Sequence, residues 1–153
     1  MRATSRQTLH LIVTIAVMVI IFVHSAMPGD VSAAESNFFV LLIAKISGWD
    51  PQPLSLLVRK SAHFLEYAVL GACLFVNAGD LVLSKGKAVP IKRLCLTAWL
   101  IAAAYAVTDE IHQYFVPGRA CALLDICIDA AGAAAGVVIA ALLRHKKRGK
   151  NRE

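Results

Sequence analysis

Four long apolar runs dominate the pattern of hydrophobic and polar positions along the chain. They cover about residues 9–26, 62–78, 94–114 and 123–143. Each run approaches the ~20 residues that a helix needs to cross a bilayer core, and none shows the alternation of barrel strands. Since every backbone polar group in hydrocarbon must be satisfied within its own segment, the runs predict helices. The pattern therefore predicts an all-α integral membrane protein with four transmembrane helices, forming one domain over residues 1–153.

The connection between the first two runs, from Met27 to Lys60, has a pattern of its own. Its stretch from Asn37 to Trp49 is apolar but too short to span a bilayer. The large apolar side chains recur there at helical spacing: Phe38, Phe39, Leu42 and Ile46. A short interfacial or re-entrant helix is therefore predicted in this loop. The sequence Asp50-Pro51-Gln52-Pro53 predicts a helix break before the second span.

The composition supports a membrane protein and argues against nucleic acid as a partner. Hydrophobic residues make up 58% of the 153 positions, well above the share in ordinary globular proteins. The net charge of +6 comes from basic residues at the chain ends and in short loops. No basic stripe interleaved with aromatic residues accompanies them, as nucleic-acid binding would require.

The distribution of Lys and Arg predicts the orientation of the spans. Twelve of them precede the first run, fill the second connection or follow the fourth run, whereas four lie in the other connections. Those four are Lys45, Arg59, Lys60 and Arg119. Basic residues accumulate on the cytoplasmic side of membrane proteins. We therefore expect a multi-pass protein of the cell membrane with both termini in the cytoplasm and the first and third connections outside.

The first run also has features of a secretory signal peptide. Arg2 and Arg6 precede it, and Val31-Ser32-Ala33 would suit a cleavage site. The run is long for a signal-peptide core, however, and four spans close the topology evenly. We therefore interpret it as a transmembrane helix.

The four cysteines show no C-x-x-C spacing that would indicate a metal site or a redox motif. Cys73 and Cys95 lie inside apolar runs, where cysteine packs as a small hydrophobic residue. Cys121 and Cys127 lie near the predicted outer face. A disulfide between these two is the one pairing that the sequence leaves open.

Polar residues cluster where three of the predicted spans meet the outer face. Arg59, His63 and Glu66 follow one another at i, i+4 and i+7, on one face of the second span. The third span ends with a group of polar residues: Tyr105, Asp109, Glu110, His112 and Gln113. The fourth span carries one stripe at i, i+4, i+7 and i+11, formed by Asp125, Asp129, Gly132 and Gly136. All of these lie in the outer part of their helices, and the glycines allow a close approach to a neighbouring helix.

Negative charge is in excess within this outer layer. The outer layer contains five carboxylates, all on the three spans, but only three fixed cations, Arg59, Lys60 and Arg119. An uncompensated carboxylate at membrane depth is unfavourable. The excess predicts proton uptake, a bound cation or a cationic group of a substrate.

The residue types suggest roles within the cluster. Four candidates for acid–base catalysis are His63, Glu66, Asp109 and Glu110. Six candidates for substrate binding are Lys60, Tyr67, Gln113, Arg119, Asp125 and Asp129. A divalent metal ion is an open alternative, with four candidate ligands: His63, Glu66, Asp109 and Asp125. His112 is offset from the face that Asp109 and Gln113 share, and we interpret it as a solvated loop residue.

Three motifs in this order resemble the VanZ-like family over about residues 25–141. They are Lys60-x-x-His63-x-x-Glu66-Tyr67, Asp109-Glu110-x-x-Gln113-x-Phe115-x-Pro117-x-Arg119, and Asp125 followed by Gly132 and Gly136. The resemblance implies a small integral membrane protein, associated in the family's founding context with reduced susceptibility to the glycopeptide teicoplanin. It implies no particular molecular activity. Asp129 departs from the family pattern, which often has Asn there, so this cluster is more acidic than usual.

Three functions are compatible with these observations. The first is recognition or modification of a membrane lipid, or of a lipid-linked precursor of the cell envelope, at the outer leaflet. The second is a metal-dependent membrane hydrolase or transferase. The third is a non-enzymatic structural or partner-binding protein, in which the charged cluster only holds the bundle together. A transporter is less favoured because four helices form a small bundle, although a homo-oligomer would enlarge it.

Overall fold

The computed structural model describes residues 5–86 and 88–150, and this part of the chain is all-helical, without a strand. Five helices follow one another: α1 (Ser5–Ser25), α2 (Gly29–Ser47), α3 (Pro51–Ser84), α4 (Ile91–Tyr114) and α5 (Leu123–Lys150). Four of them, α1, α3, α4 and α5, are long and apolar enough to cross a membrane. The predicted all-α fold with four spans is therefore confirmed.

The four spans alternate in direction, so the bundle has two chemically different ends. At one end, which we call the site end, α1 and α4 finish and α3 and α5 begin. At the other, the basic end, α1 and α4 begin and α3 and α5 finish, close to Lys85, Arg93 and Arg144. Contacts of His24 with Glu66 at the site end, and of His10 with Asp80 at the basic end, fix α1 against α3 in this antiparallel arrangement.

The helix predicted in the first long connection is present as α2, but it is longer than the apolar stretch suggested. It starts at Gly29, directly after Pro28, and ends where Gly48 adopts φ 71°. The Gly48 N–H donates to the Ala44 carbonyl oxygen at 2.8 Å, which is the usual left-handed helix cap. On its outward face Phe38 and Ile46 are largely exposed, while α2 packs against α3 alone among the major contacts.

Helix α3 begins earlier than the apolar pattern indicated. The residues from Asp50 to Pro53 follow the end of α2, so a break is present between the two helices. The same residues form the start of α3, however, and no break separates them from the second span. Asp50 is the N-cap and accepts a hydrogen bond from the Gln52 N–H at 3.0 Å. Pro51 occupies the first helical position, where its missing N–H is not needed. With 34 residues, α3 is about 50 Å long and extends beyond a ~30 Å hydrocarbon core.

Helix α3 is the centre of the bundle, because it packs against each of the other four helices and most extensively against α5. Small residues allow α5 to lie close to α3. A Cβ added to Gly132 or Gly136 would collide with a backbone carbonyl oxygen of α3, and one added to Gly71 would collide with the Ala133 carbonyl oxygen. The predicted close approach of the fourth span is thus made to α3.

The core consists of apolar side chains and alanines from α1, α3, α4 and α5. One buried cluster contains Ile21, Tyr67, Leu70, Ala102, Ala106 and Ala133. The outer surface of the spans is apolar as well, and on α1 the side chains of Leu11, Ile15 and Val19 are about half exposed. A continuous apolar exterior is what helices surrounded by lipid require.

The cysteines do not form a disulfide. All four are free, and Cys121 and Cys127 are exposed. Cys73 and Cys95 are half-buried, consistent with the packing role expected for them.

Candidate functional site

The glycine contacts between α3 and α5 position the first two side chains of the site. Gly132 lies against the Phe64 carbonyl oxygen and Gly136 against that of Ala68. Asp129, almost one turn before Gly132, is thereby brought next to His63. The His63 Nδ1 atom lies 3.9 Å from Asp129 Oδ1, and the Asp129 side chain is fully buried.

Asp109 from α4 completes a group of three residues, which we call the His–Asp–Asp cluster. His63, Asp109 and Asp129 each offer one nitrogen or oxygen atom, and these atoms lie within 4.8 Å of one another. Asp109 is 3% exposed and Asp129 is 0% exposed. Three different helices therefore direct a histidine and two buried carboxylates to one point.

Several atoms of this cluster lack a hydrogen-bond partner. They are His63 Nδ1, Asp109 Oδ1 and both carboxylate oxygens of Asp129. The Tyr67 hydroxyl, one turn beyond His63 on α3, is also buried without a partner. An unpaired buried polar group is unfavourable by ~1–3 kcal/mol, and more if it is charged. Such a concentration in one place requires a physical explanation.

The second oxygen of Asp109 is held by a relay of side chains. Gln113 Nε2 donates to Asp109 Oδ2 at 3.1 Å. Arg119 Nη1 in turn donates to Gln113 Oε1 at 3.4 Å. Arg119 also donates to the carbonyl oxygens of His24 and Met27, at 2.9 and 3.0 Å. The guanidinium thus fixes the loop after α1 and orients Asp109 through Gln113.

Three other acidic residues predicted for the site have partners. Glu66 Oε1 lies 2.6 Å from His24 Nδ1. Asp125 forms an ion pair with Lys60. Glu110, buried near the end of α4, accepts from the Ala122 N–H at 2.9 Å and so ties α4 to the start of α5. Asp125 is thus paired with a fixed cation, Glu66 with a histidine and Glu110 with an uncharged N–H, so each of the three has a partner without a ligand.

Two cavities meet at the site. The first, the charged cavity, has a volume of about 260 Å³ and contains His63, Asp129 and Gln113 in its wall, together with the cations Arg59, Lys60 and Arg119. The second has about 210 Å³ and lies toward α2, with His24, Glu35 and Glu66 in its wall. Arg59, His63 and Arg119 line both cavities and form the partition between them.

Arg59 lines both cavities, although its sequence pattern predicted no role for it in the site. It shares one helical face with His63 and Glu66, and this spacing was visible in the sequence. Among the described residues, no carboxylate lies within ion-pair distance of its guanidinium. Burial lowers the pKa of Arg119, and the nearby charge of Arg59 lowers it further. Two like charges therefore face the cavities together.

The candidate metal ligands and His112 lie in other surroundings than the sequence predicted. Of the four ligand candidates, the structure brings together His63 and Asp109, adds Asp129, and places Glu66 and Asp125 in separate pairs. His112 is not a solvated loop residue, because it lies within α4. Its ring stacks on Phe22 with a centroid distance of 4.5 Å, and its Nε2 atom is buried.

Comparison with known protein families relates the chain to one of them. A family model described as VanZ/LLP1 matches residues 10–144, whereas no curated protein and no solved structure matches the chain. The matched region includes most of each of the four helices that can span a membrane, and every residue that lines the two cavities. The chain therefore belongs to the VanZ/LLP1 family of integral membrane proteins, as its three motifs predicted.

Proposed function

We propose that this protein recognises or modifies a phosphate-bearing lipid, or a lipid-linked precursor of the cell envelope, at the outer leaflet of the cell membrane. The observation that carries the proposal is the pair of guanidinium groups, Arg59 and Arg119, in the wall of the charged cavity. Their mutual repulsion would be relieved by an anion placed between them. Guanidinium groups bind phosphate with strong, directional hydrogen bonds.

A free cation is needed for such a ligand, and Arg59 is the one that the pairings leave over. Lys60 is engaged by Asp125, and Arg119 donates to two backbone carbonyl oxygens and to Gln113. Arg59 has no carboxylate partner among residues 5–86 and 88–150. It is therefore the primary contact for the phosphate, with Lys60 and Arg119 as secondary contacts.

A lipid, as opposed to a soluble phosphate, is supported by what adjoins the charged cavity. Lys60 and Ile128 also line a groove of about 390 Å³ on the outer surface, between α3 and α5. The remaining wall of this groove is Ser61, Phe64 and Leu65. A headgroup in the charged cavity would thus place its hydrocarbon chain along an apolar groove that faces the bilayer.

The acidic residues of the cluster provide chemistry for a modification of the bound headgroup. His63 lines the charged cavity, and its imidazole is suited to accept or donate a proton. Asp129 lines the same cavity, and Asp109 lies within 4.8 Å of both residues. Recognition requires only the cations, whereas modification also requires this histidine and its carboxylates.

The proposed side of the membrane follows from the charge asymmetry of the chain. Along the sequence, twelve Lys and Arg residues precede the first apolar run, fill the second connection or follow the fourth run, against four in the other connections. This distribution favours a cytoplasmic basic end and an external site end. Reporter fusions near Gly86 and after Lys150 should then be cytoplasmic, and one near Gly118 external; the opposite pattern would move the site to the inner leaflet.

A binding experiment tests the proposal directly. The purified protein in detergent is titrated with farnesyl phosphate, and with farnesol as the same tail without phosphate. We expect binding of the phosphate only, and a loss of ~10-fold or more in Arg59→Gln, because one charged hydrogen-bonding group is removed. Lys45→Gln removes an exposed cation of α2 that lines none of these cavities, and should retain the affinity of the natural protein.

Equal binding of farnesol and farnesyl phosphate, or unchanged affinity in Arg59→Gln, would contradict the proposal. The VanZ-like resemblance adds a cellular test, a change in teicoplanin susceptibility when the protein is produced. Glu66→Gln and Asp109→Asn should each abolish that change at normal abundance. Loss of abundance instead of loss of the phenotype would support the purely structural alternative.

A further inference from the structure

We propose that His63, Asp109 and Asp129 bind a divalent transition-metal ion, such as Zn²⁺ or Mn²⁺, at the inner wall of the charged cavity. The proposal rests on the site proposed above and specifies how that site would hold an anionic headgroup. It is carried by the geometry of the three side chains and by the absence of partners for their inner atoms.

The geometry suits a three-ligand metal site. One nitrogen and two carboxylate oxygens come from three helices and lie within 4.8 Å of one another. Bonds from such ligands to Zn²⁺ are ~2.0–2.2 Å long, so ligand atoms on a tetrahedral ion lie ~3.3–3.6 Å apart. The side chains would have to close by up to ~1.5 Å, and the 3.9 Å between His63 and Asp129 would have to shorten by only ~0.5 Å.

The unpartnered atoms provide a second, independent observation. Asp129 is fully buried and neither of its oxygens has a hydrogen-bond partner. Asp109 Oδ1 is also without a partner and belongs to a residue that is 3% exposed. His63 Nδ1 completes the set. A divalent cation coordinated by one of these atoms from each residue would satisfy three of the four at once.

The surroundings orient two of the three ligands, Asp109 and Asp129, as metal sites require. Gln113 Nε2 donates to Oδ2 of Asp109 at 3.1 Å, which leaves the unpartnered Oδ1 available as a ligand atom. Asp129 is fixed by the close glycine contacts between α5 and α3. Residues that orient the ligands in this manner raise the affinity of metal sites.

The neighbouring acidic residues are excluded as ligands because each has another partner. Glu66 contacts His24, Asp125 contacts Lys60, and Glu110 accepts from the Ala122 N–H. A mixed set of one imidazole and two carboxylates favours Zn²⁺ or Mn²⁺ over cations that prefer oxygen ligands alone. With three protein ligands, a coordination position stays available on the side of the cavity, where a phosphate oxygen would bind.

Metal titration of the purified protein tests this inference. After removal of metal with a chelator, Mn²⁺ and Zn²⁺ should each bind with a stoichiometry of about one. Asp109→Asn and Asp129→Asn should weaken binding by at least ~10-fold. Asp80→Asn, which removes a histidine-paired aspartate at the basic end, is the matched control and should leave the affinity unchanged.

A spectroscopic measurement on the natural protein covers the case in which a variant fails to fold. Electron spin-echo modulation of bound Mn²⁺ should show a nitrogen ligand, and this signal should vanish in His63→Gln. Failure of the natural protein to bind metal would overturn the inference. So would a metal affinity of folded Asp109→Asn and Asp129→Asn equal to that of the natural protein. A bound ion without a nitrogen signal would do so as well.

The two proposals fail separately. If no metal binds but farnesyl phosphate still requires Arg59, the metal site is wrong and the phosphate-lipid site stands. If Mn²⁺ binds through His63 while Arg59→Gln has no effect on farnesyl phosphate, the metal site stands and the proposed ligand is wrong.

Discussion

The two ends of the bundle use the same residue types with opposite results. At the basic end, His10 of α1 contacts Asp80 of α3 at 2.6 Å. Asn77 beside them donates to the His10 and Cys73 carbonyl oxygens, at 3.1 and 3.0 Å, and to Thr14 Oγ1. At the site end, the closest atoms of His63 and Asp129 are 3.9 Å apart and unpartnered.

The contrast extends to all buried side-chain nitrogen and oxygen atoms that lack a partner in the part of the chain described. Every one of them lies at the site end: Ser25 Oγ, His63 Nδ1, Tyr67 Oη, Asp109 Oδ1, His112 Nε2 and both Asp129 carboxylate oxygens. The cavities differ too, since one at the basic end, about 610 Å³, has mostly apolar walls, whereas the 260 Å³ cavity is charged.

This difference indicates which polar residues serve the fold. The chain is able to satisfy a histidine and an aspartate inside the bundle, as His10 and Asp80 demonstrate. At the site end it also pairs Glu66, Asp125 and Glu110. The residues left unsatisfied after this pairing are those that stability does not explain, and intramembrane ionisable groups of that kind are characteristic of functional sites.

Gly136→Leu should have the largest effect, because it removes the packing that creates the site end. Its side chain would meet the backbone carbonyl oxygen of Ala68, which cannot move without separating α5 from α3. We expect a destabilisation of ~3 kcal/mol or more, at the upper end of overpacking effects. The yield of folded, monodisperse protein in detergent measures it.

Ala131→Leu provides the control for this prediction, because Ala131 lies on the same helix and is exposed. It adds the same side chain toward lipid, and its yield should equal that of the natural protein. Normal yield for Gly136→Leu would show that α5 does not depend on the close contact, and the positioning of Asp129 would need another explanation.

The two aspartates, Asp80 and Asp129, should respond in opposite directions when they are made neutral. Asp80→Asn weakens the contact with His10 and should lower the free energy of unfolding by ~1–3 kcal/mol, as for a hydrogen bond to a charged group. Asp129→Asn removes a buried carboxylate that has no hydrogen-bond partner. In metal-free protein it should leave the stability unchanged or raise it.

Thermal unfolding of the two variants in the same detergent makes the comparison. A loss of stability in Asp129→Asn as large as that in Asp80→Asn would mean that Asp129 is stabilised by its surroundings. The distinction between a paired basic end and an unsatisfied site end would then be wrong.

The apolar pattern predicted the bounds of a span well where nearly the whole helix lies within one apolar run. The runs 94–114 and 123–143 correspond to α4 and α5, which begin at Ile91 and Leu123. The start of α3 was missed because its first turns before Ala62 are mixed in polarity and lie beyond the apolar run. The signals for that start, Asp50 as N-cap and Pro51 at the first position, were nevertheless in the sequence.

The site was predictable as a collection of residues but not as a set of pairs. Helical spacing placed His63, Asp109 and Asp129 in one layer, because the depth of a residue in the membrane follows from its position within its own helix. Which acids have a partner depends on residues far away in sequence, such as His24 for Glu66. The free guanidinium of Arg59 also became visible only when Lys60 and Arg119 were seen to be engaged.

The smallest expected effect concerns the paired residues around the site, represented by Lys60 and Asp125. Their side chains are 28% and 27% exposed, so solvent screens the ion pair that they form. Ion pairs with substantial exposure contribute ~0–1 kcal/mol. Lys60→Met and Asp125→Asn should each change the free energy of unfolding by no more than that, and their coupling in a double-mutant cycle should be equally small. A buried pair would behave differently, since removal of one partner would leave an uncompensated charge at a cost of ~3–5 kcal/mol. Chemical unfolding of the two single variants and the double variant separates these cases, and a coupling of several kcal/mol would place the pair with the buried site instead of its exposed surroundings.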